Sequence, residues 1–459
     1  MLIRRAELEG GAIADVRIKR DRIAAIGELA AEPGEQVIDA SGGLLLPGLH
    51  DHHIHVAALA ASLSSVRCGP PEVNDAAQLA DALIVPGQGW LRGIGYHESV
   101  AGMLDAATLD TINRDRPLRI QHRSGRMWFF NSAGIDAVLA GRTAPPGLER
   151  ATGRLFDEDR WLREALASAP PGFAQVGTML ARAGVTGLTD MSVDNDAAIA
   201  RHFAAQHACG ALPQRVLLAG TLELADAEAE GIGIGPAKLH LHEAQLPALG
   251  DALDFIGEAH AAARAVAIHC VTEVELVFAL ALLSGAGTEA GDRIEHASVA
   301  PDSAVGEIAR LGLAVCSQPH FIQERGDLYL REVEPQDQPH LYRLRAFLDA
   351  KVALAGGSDA PFGSADPWAA MAAAVSRRTA QGAPIGESEA LTPEEALDLY
   401  LRVPESLTRR RAVTSGADAD LCLLDRPWAD ARTALSSDFV RATLIGGRIV
   451  HDRIDQAPV

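Results

Sequence analysis

The stretch LLPGLHDHHIHV, residues 45–56, places four histidines and one aspartate in six consecutive positions, directly after an apolar run that ends in Pro-Gly. Histidine spacing alone does not explain this density. With 16 histidines among 459 residues, about 0.6 His-x-His pairs are expected by chance. The chain has three, His50/His52, His53/His55 and His240/His242. The place of each pair in the fold must therefore decide which pair serves chemistry.

Seven further β-like runs follow this stretch, and Ala-rich helical segments separate most of them. The runs cover residues 118–122, 185–191, 236–242, 265–270, 292–297, 313–318 and 352–359. Strands that alternate with helices indicate a parallel sheet, and eight such units predict an α/β fold of the (β/α)8 TIM-barrel type.

The two ends of the chain have a different texture, with short alternating strands and turns. We expect residues 1–46 and 412–459 to form one small composite β-sandwich domain, because each end alone has too few strands to be stable. Residues 47–411 then form the barrel. The long segment at about 123–184 is interpreted as an insertion with its own helices.

Composition restricts the class of protein. The net charge is −20 without a block of like charge, which favours solubility and argues against nucleic-acid or anionic-membrane partners. Five scattered cysteines without a CxxC motif fit a reducing compartment. No signal peptide or membrane-spanning stretch is evident, so we expect a cytoplasmic protein. A homodimer is compatible with the sequence.

Polar residues lie where this fold places its active sites, at the carboxyl ends of the strands. Side chains alternate along a strand, so His53 and His55 share one face while His50 and His52 share the other. The candidates at five strand ends are His53, His55, Lys238, His269, His296 and Asp359. Each alone has an ordinary structural explanation, such as a hydrogen-bonded histidine, a turn aspartate or an edge lysine. Together they favour a metal centre.

A family resemblance supports this interpretation. The motifs PGLHDHHIH, PAKLHLH, AVAIHC, DRIEHA and GGSDAP, in that order, resemble the metal signature of the amidohydrolase superfamily. The segments at 89–99, 116–136, 180–192 and 416–427 look like the subgroup that includes N-substituted formamide deformylases. The resemblance covers nearly the whole chain, including the split sandwich.

The resemblance implies a binuclear centre of divalent metals, usually zinc. His53, His55 and Asp359 would hold one metal, and His269 and His296 the other. Lys238 would bridge both as a carbamate, formed when CO2 carboxylates its amine. An ammonium group cannot bind a cation, whereas a carbamate is an oxygen ligand like a carboxylate. If Lys238 stays uncarboxylated, we expect a single metal.

The implied activity is metal-dependent hydrolysis of a non-peptide C–N bond in a small molecule. A metal-bound water with its pKa lowered to about 7 would attack an amide, an N-formyl or N-acyl group, or a cyclic amide. Asp359 is the predicted catalytic residue, since it can pass the proton of this water to the leaving nitrogen. Lactone or ester hydrolysis stays open, and a non-catalytic scaffold is the third alternative. The scaffold is disfavoured because every ligand position is filled.

Substrate contacts are predicted from strand ends and from departures from the subgroup. Arg126 stands where the subgroup usually has a histidine, and it could bind a carboxylate or carbonyl, or pair with a barrel carboxylate. The other candidates are Tyr96, His97, His122 at the end of the predicted second strand, and His320 after the seventh. His242 replaces an aspartate that is common in the subgroup, and the loop there is short.

Overall fold

The chain divides into two units in the computed structural model, which describes residues 1–166 and 170–453. The first unit comprises Met1–Val56 and Gly172–Val459, and the second comprises Ala57–Pro171. The second unit begins and ends earlier in the chain than the insertion expected at about 123–184. Among the described residues, no helix is both long and apolar enough to cross a membrane.

Eight parallel strands in the first unit form the barrel, and their spatial order follows the chain. They are Leu49–Ile54, Val185–Asp190, Arg215–Gly220, Ile232–His240, Val266–Cys270, Arg293–His296, Ala314–Ser317 and Ala353–Gly356. The chain segments after the first and eighth strands meet, because the amide of Asp359 donates to the carbonyl of His53 at 2.6 Å and that of His55 to the carbonyl of Ala360 at 2.9 Å. The predicted (β/α)8 fold is confirmed.

One barrel strand was assigned wrongly from the sequence. Leu118–His122 was expected to be the second strand, but it belongs to a six-stranded sheet of the second unit. The second barrel strand is Val185–Asp190, and the third is Arg215–Gly220. The run RVLLAG at 215–220 is apolar enough to be a buried strand.

Two four-stranded sheets of the first unit form the sandwich. One contains Leu2–Glu7, Ile13–Lys19, Arg22–Gly27 and Val37–Asp39, and the other Leu45–Pro47, Leu421–Leu424, Val440–Ile445 and Arg448–Asp452. A single apolar core joins them, in which Ile3, Val16 and Ile38 pack with Leu421 and Leu444. The sandwich needs both ends of the chain, because its core is built from residues of both. Residues 454–459 of the predicted domain lie outside the described residues.

Helices cover the first unit, and most follow a barrel strand. They are Ala174–Arg182, Ala197–Ala208, Leu249–Ala261, Glu273–Ala286, Asp302–Leu311, His320–Glu332, Leu344–Asp349, Pro367–Ser376, Pro393–Asp398 and Trp428–Ala431, with Val56–Leu63 crossing the unit boundary. Short 3-10 turns occur at Leu222–Asp226, Glu243–Gln245, Gln338–His340, Glu387–Glu389 and Ser437–Phe439.

The second unit has its own mixed sheet and helices. The strands are Val66–Arg67, Leu91–Tyr96, Leu118–His122, Met127–Phe130, Leu148–Glu149 and Arg154–Phe156, and the helices are Ala76–Ala82, Glu98–Ala101, Ala106–Ile112, Ser132–Leu139 and Asp159–Leu166. Leu91–Tyr96 and Leu118–His122 are parallel neighbours.

Candidate metal centre

Asp359 lies close to two of the other predicted ligands. Its Oδ1 atom is 3.1 Å from Nε2 of His55 and 3.4 Å from Nε2 of His53. One ligand atom from each of these three residues lies within 4.8 Å of the others. The ring of His296 is centred 4.7 Å from that of His53 and 4.6 Å from that of His269. Five of the six predicted ligands thus form one cluster.

The sixth predicted ligand, Lys238, is buried without a hydrogen bond. Lys238 is 3% exposed, and its Nζ has no hydrogen-bond partner among the described residues. Burial lowers the pKa of the Lys238 amine, although the carboxylate of Glu295 opposes the shift. A buried cation without a hydrogen bond is costly, so this amine is poised to be neutral or to be modified.

Neighbouring side chains orient the histidines of the cluster. Nδ1 of His53 is 2.5 Å from Oε2 of Glu295, and Nδ1 of His296 is 2.7 Å from Oε1 of Gln318. Oxygens of this kind accept, so both rings carry a proton on Nδ1 and keep the lone pair of Nε2 for another partner. Metal-binding histidines are oriented in this way.

The backbone is strained at two of the candidate ligands. His296 has φ of +71° and Asp359 has φ of +52°, although neither is a glycine. Such conformations cost about 1–3 kcal/mol each and concentrate at functional sites. Gly357 permits the close approach of the two strands here, because a Cβ on it would lie 2.4 Å from Cβ of His53. Local strain and the glycine together fix the cluster.

Electrostatics keep the cluster ready for a cation. Burial alone would raise the pKa of Asp359, but its contacts with His53 and His55 hold it well below its usual range. Burial lowers the pKa of His296 to about 3, and it also lowers the pKa of His269. Burial opposes protonation of His53, but the carboxylates of Glu295 and Asp359 raise its pKa. The site therefore presents an ionised carboxylate beside the neutral rings of His269 and His296, and donors of these two kinds suit zinc.

Asp51 has a structural role behind this cluster. Its Oδ1 accepts the backbone N–H groups of His53 at 3.1 Å and of Ser358 at 3.0 Å. The carboxylate thus ties the first strand to the loop after the eighth strand, and burial raises its pKa to about 6.

The other histidine pairs do not join the ligands. Nε2 of His50 is 2.9 Å from Oγ1 of Thr189, and both ring nitrogens of His52 are buried without a partner among the described residues. The ring of His240 stacks on that of His269 at 4.2 Å. His242 caps a 3-10 turn, since its Nδ1 accepts from the amide of Ala244.

A cavity of about 580 Å³ opens beside His269 at the ends of the fourth and fifth strands. This is large enough for a small organic molecule. Its lining residues are His240, Leu241, His242, Glu243, Ala244, His269, Val271, Thr272 and Glu275.

Four of the predicted substrate contacts lie in the second unit. Tyr96 is fully buried, and its hydroxyl donates to the carbonyl of Gly102 at 2.6 Å, so it has no free surface to offer a substrate. Arg126 makes two hydrogen bonds of 2.7 Å to Asp157, an exposed partner rather than a barrel carboxylate. The side chains of His97 and His122 are partly accessible, and both lie near the carboxylate of Glu98.

His320 lies in the first unit, at the start of the helix His320–Glu332. It is 1% exposed, and its Nε2 is 2.9 Å from the carbonyl oxygen of Ser358. Burial lowers the pKa of His320 to about 4. The ring is therefore neutral and supports the loop that carries Asp359.

Comparison with known proteins identifies the family. The model of the amidohydrolase family matches residues 36–451. The chain belongs to the amidohydrolase family. Family membership makes the protein a hydrolase that acts on carbon–nitrogen bonds. The chain is 27% identical to an N-substituted formamide deformylase of Arthrobacter pascens, over 95% of both chains.

Solved structures share the fold of this amidohydrolase. A metal-dependent hydrolase from Pyrococcus horikoshii OT3, itself uncharacterised, has a TM-score of 0.79 at 19% identity, covering 96% of this chain and 99% of its own. The atrazine chlorohydrolase TrzN of Arthrobacter aurescens TC1, solved with zinc, has a TM-score of 0.57 at 16% identity, covering 98% and 95%.

Sequence reasoning missed Glu295, the carboxylate that orients His53 in this amidohydrolase. Glu295 is fully buried, and its other oxygen accepts from Nε of Arg293 at 2.5 Å. The sequence does carry a signal, because Arg293 and Glu295 are charged residues two positions apart in a four-residue strand that is buried throughout. A buried ion pair inside a barrel strand is rare without a purpose.

Proposed function

We propose that the protein uses two divalent metal ions, of which zinc fits best, to hydrolyse a non-peptide C–N bond of a small molecule. The substrate would carry an amide, an N-formyl or N-acyl group, or a cyclic amide. His53, His55 and Asp359 would hold one ion, and His269 and His296 the other. The observation that carries the proposal is the convergence of these five side chains beside a buried amine without a hydrogen bond.

Lys238 fits the role of a bridging ligand once it is carboxylated. Its buried Nζ has no hydrogen bond, and burial lowers its pKa, so a larger share of the amine is neutral. Only a neutral amine has the lone pair that attacks CO2. The carbamate would supply oxygen ligands, whereas the oxygens of Glu295 are already bonded to His53 and Arg293.

When bound, the metal ions would lower the pKa of a water to about 7 and polarise the substrate carbonyl. Asp359 would be placed to accept a proton from the attacking water on a carboxylate oxygen and to deliver it to the leaving nitrogen. Its strained backbone and its contacts with His53 and His55 hold this carboxylate in one place. His320 supports the same loop through Ser358.

Substrate recognition is proposed on two grounds. The cavity of about 580 Å³ next to His269 provides room for the organic part of the substrate. The relative that acts on N-substituted formamides favours an N-formyl amine as the first substrate to try. Tyr96 belongs to the core of the second unit and His320 supports the loop that carries Asp359. His97, His122 and Arg126 stay predictions from the sequence.

The test is a substrate comparison with zinc-loaded protein. N-formyl amines, N-acyl amines and cyclic amides are assayed beside esters and lactones of matched size, before and after chelation. We expect turnover of at least one C–N substrate that stops on chelation and returns with zinc. Hydrolysis of esters or lactones alone would contradict the proposed bond and favour the C–O alternative.

We also propose that the protein works in the cytoplasm. All five cysteines are free and four of them are buried, which suits a reducing compartment. The homodimer stays a prediction that measurement of the mass in solution would check.

A further inference from the structure

Two identical His-x-Ser motifs lie side by side in the second unit. His97 precedes Ser99 by two positions, and His122 precedes Ser124 by two. One histidine directly follows the strand Leu91–Tyr96, and the other ends its parallel neighbour. The two rings are centred 6.2 Å apart and are tilted by only 29°. Neither motif belongs to the metal cluster.

The hydrogen bonds of these motifs fix which ring nitrogen carries the proton. The backbone N–H of Ser99 donates to Nδ1 of His97 at 3.2 Å, and that of Ser124 donates to Nδ1 of His122 at 3.2 Å. A backbone N–H can only donate, so each Nδ1 is an acceptor and the neutral ring carries its proton on Nε2. Each serine hydroxyl also lies within 2.8 Å of the same Nδ1.

Both rings therefore present an Nε2–H donor, and this excludes one obvious ligand. A metal ion at Nε2 needs the lone pair of that nitrogen. The serine amides would then face a protonated Nδ1, with two donors opposed. An anion, by contrast, accepts both Nε2–H groups without any rearrangement.

A carboxylate already lies against the two donors, but it fits poorly. Oε2 of Glu98 is 3.0 Å from Nε2 of His122 and 3.4 Å from Nε2 of His97. Only the first distance is that of a good hydrogen bond. Glu98 is adjacent to His97 in the chain, which restricts where its carboxylate can reach. Its side chain is 49% exposed, whereas those of His97 and His122 are 22% and 14% exposed.

We propose that His97 and His122 form a carboxylate-binding clamp, and that Glu98 occupies this clamp when no ligand is bound. A carboxylate with free access would accept one Nε2–H on each oxygen, and hydrogen bonds to a charged acceptor are stronger than those to a neutral one. The ligand is a small organic carboxylate that binds as a separate molecule.

Binding is tested with sodium acetate as the probe and the full-length, zinc-loaded protein. The ring ¹⁵N and ¹H signals of His97 and His122 are followed by NMR and assigned with His97→Gln and His122→Gln. We expect the Nε2–H tautomer on both rings and saturable shifts of both Nε2–H signals. Site-resolved signals separate this binding from acetate at the metal centre.

Three variants test whether the clamp causes the acetate-induced shifts. Glu98→Gln removes the internal competitor, so acetate should bind about tenfold more tightly, as expected when most of the free clamp is occupied. Glu149→Gln removes the same charge elsewhere in this unit, where Glu149 contacts Thr152, and should change affinity less than about twofold. His122→Gln should abolish the shifts at His97. Absence of saturable shifts in both the parent and Glu98→Gln would overturn the proposal, as would equal effects of the two glutamate variants.

Discussion

Glu295 in the sixth barrel strand holds His53 in the first by a contact of 2.5 Å between Oε2 and Nδ1, and both residues are fully or almost fully buried. Arg293 holds the other oxygen of Glu295 and also donates to the carbonyl of His52 at 2.8 Å. The ring of His53 is therefore held through its Nδ1. Its Nε2 is left facing Asp359.

This arrangement predicts the effect of Glu295→Gln. The amide preserves the size of the side chain but removes the charge and one acceptor oxygen, so His53 and Arg293 can no longer both donate to a carboxylate oxygen. Metal affinity should fall about 10–100-fold, as measured by competition with a chromogenic chelator. Glu307→Gln, on the surface helix Asp302–Leu311, is the matched control and should bind metal like the parent. Unchanged affinity in Glu295→Gln would show that the contact does not orient a ligand.

Asp359→Asn separates proton transfer from folding. The variant should fold, keep part of its metal and lose about 10²–10⁴-fold in kcat, because an amide cannot accept the proton. Circular dichroism and elemental analysis measure the first two properties, and turnover of the best amide substrate measures the third. Near-normal turnover with a full complement of metal would rule out the proposed role of Asp359.

Gly357→Ala tests the close approach of the eighth strand to the first. The new Cβ would lie 2.4 Å from Cβ and 2.6 Å from the backbone nitrogen of His53. We expect a loss of about 1–3 kcal/mol in the free energy of unfolding, with weaker metal binding as His53 is displaced. Gly250→Ala is the control, because nothing lies within 4 Å of its Cβ, and in the helix Leu249–Ala261 it should stabilise by up to about 1 kcal/mol. Denaturant titration without metal measures both.

The stability of the protein should depend on pH through the carboxyl group of Glu395. Two hydrogen bonds from Arg345, with the cap of Thr392, lower the pKa of Glu395 from 4.5 to about 2. A carboxyl group with a lowered pKa in the folded state stabilises fully above pH 4.5, and this stabilisation is lost as the pH falls towards 2. The destabilisation caused by Glu395→Gln should therefore shrink over that range, measured by urea unfolding.

The control for this pH dependence is Glu258→Gln, an exposed glutamate on the helix Leu249–Ala261. Its effect on the free energy of unfolding should stay small and nearly constant from pH 7 to pH 3. If the destabilisation by Glu395→Gln stayed constant while the pH fell, the ion pair with Arg345 would not be its cause.

The alternation of strands and helices sufficed to predict the barrel. The strand-end rule selected residues that lie in one cluster, and their role as metal ligands stays a prediction. Both rules use local patterns, such as His53-x-His55 and the buried run that carries His269. The identity of the second strand was not predicted correctly, because Leu118–His122 and Arg215–Gly220 have equally strand-like sequences. Only pairing with neighbours separates them.

Side-chain partners could not be predicted in the same way. Arg126 pairs with Asp157, 31 positions later, and Glu295 pairs with His53, 242 positions earlier. Such partners meet only when distant segments of the chain fold together, and no local sequence pattern predicts this. That Nζ of Lys238 has no hydrogen bond within the described part of the chain likewise depends on its surroundings, although the strand position of Lys238 was predicted.

The most direct test of the account is the metal content of protein purified without chelator and with bicarbonate present, beside Lys238→Ala. The account predicts about two metal ions per chain in the parent and about one in the variant, because the bridging carbamate is lost. Equal content of one ion in both proteins would contradict the bridge and leave a mononuclear enzyme. A parent that neither contains nor binds metal would contradict the central claim.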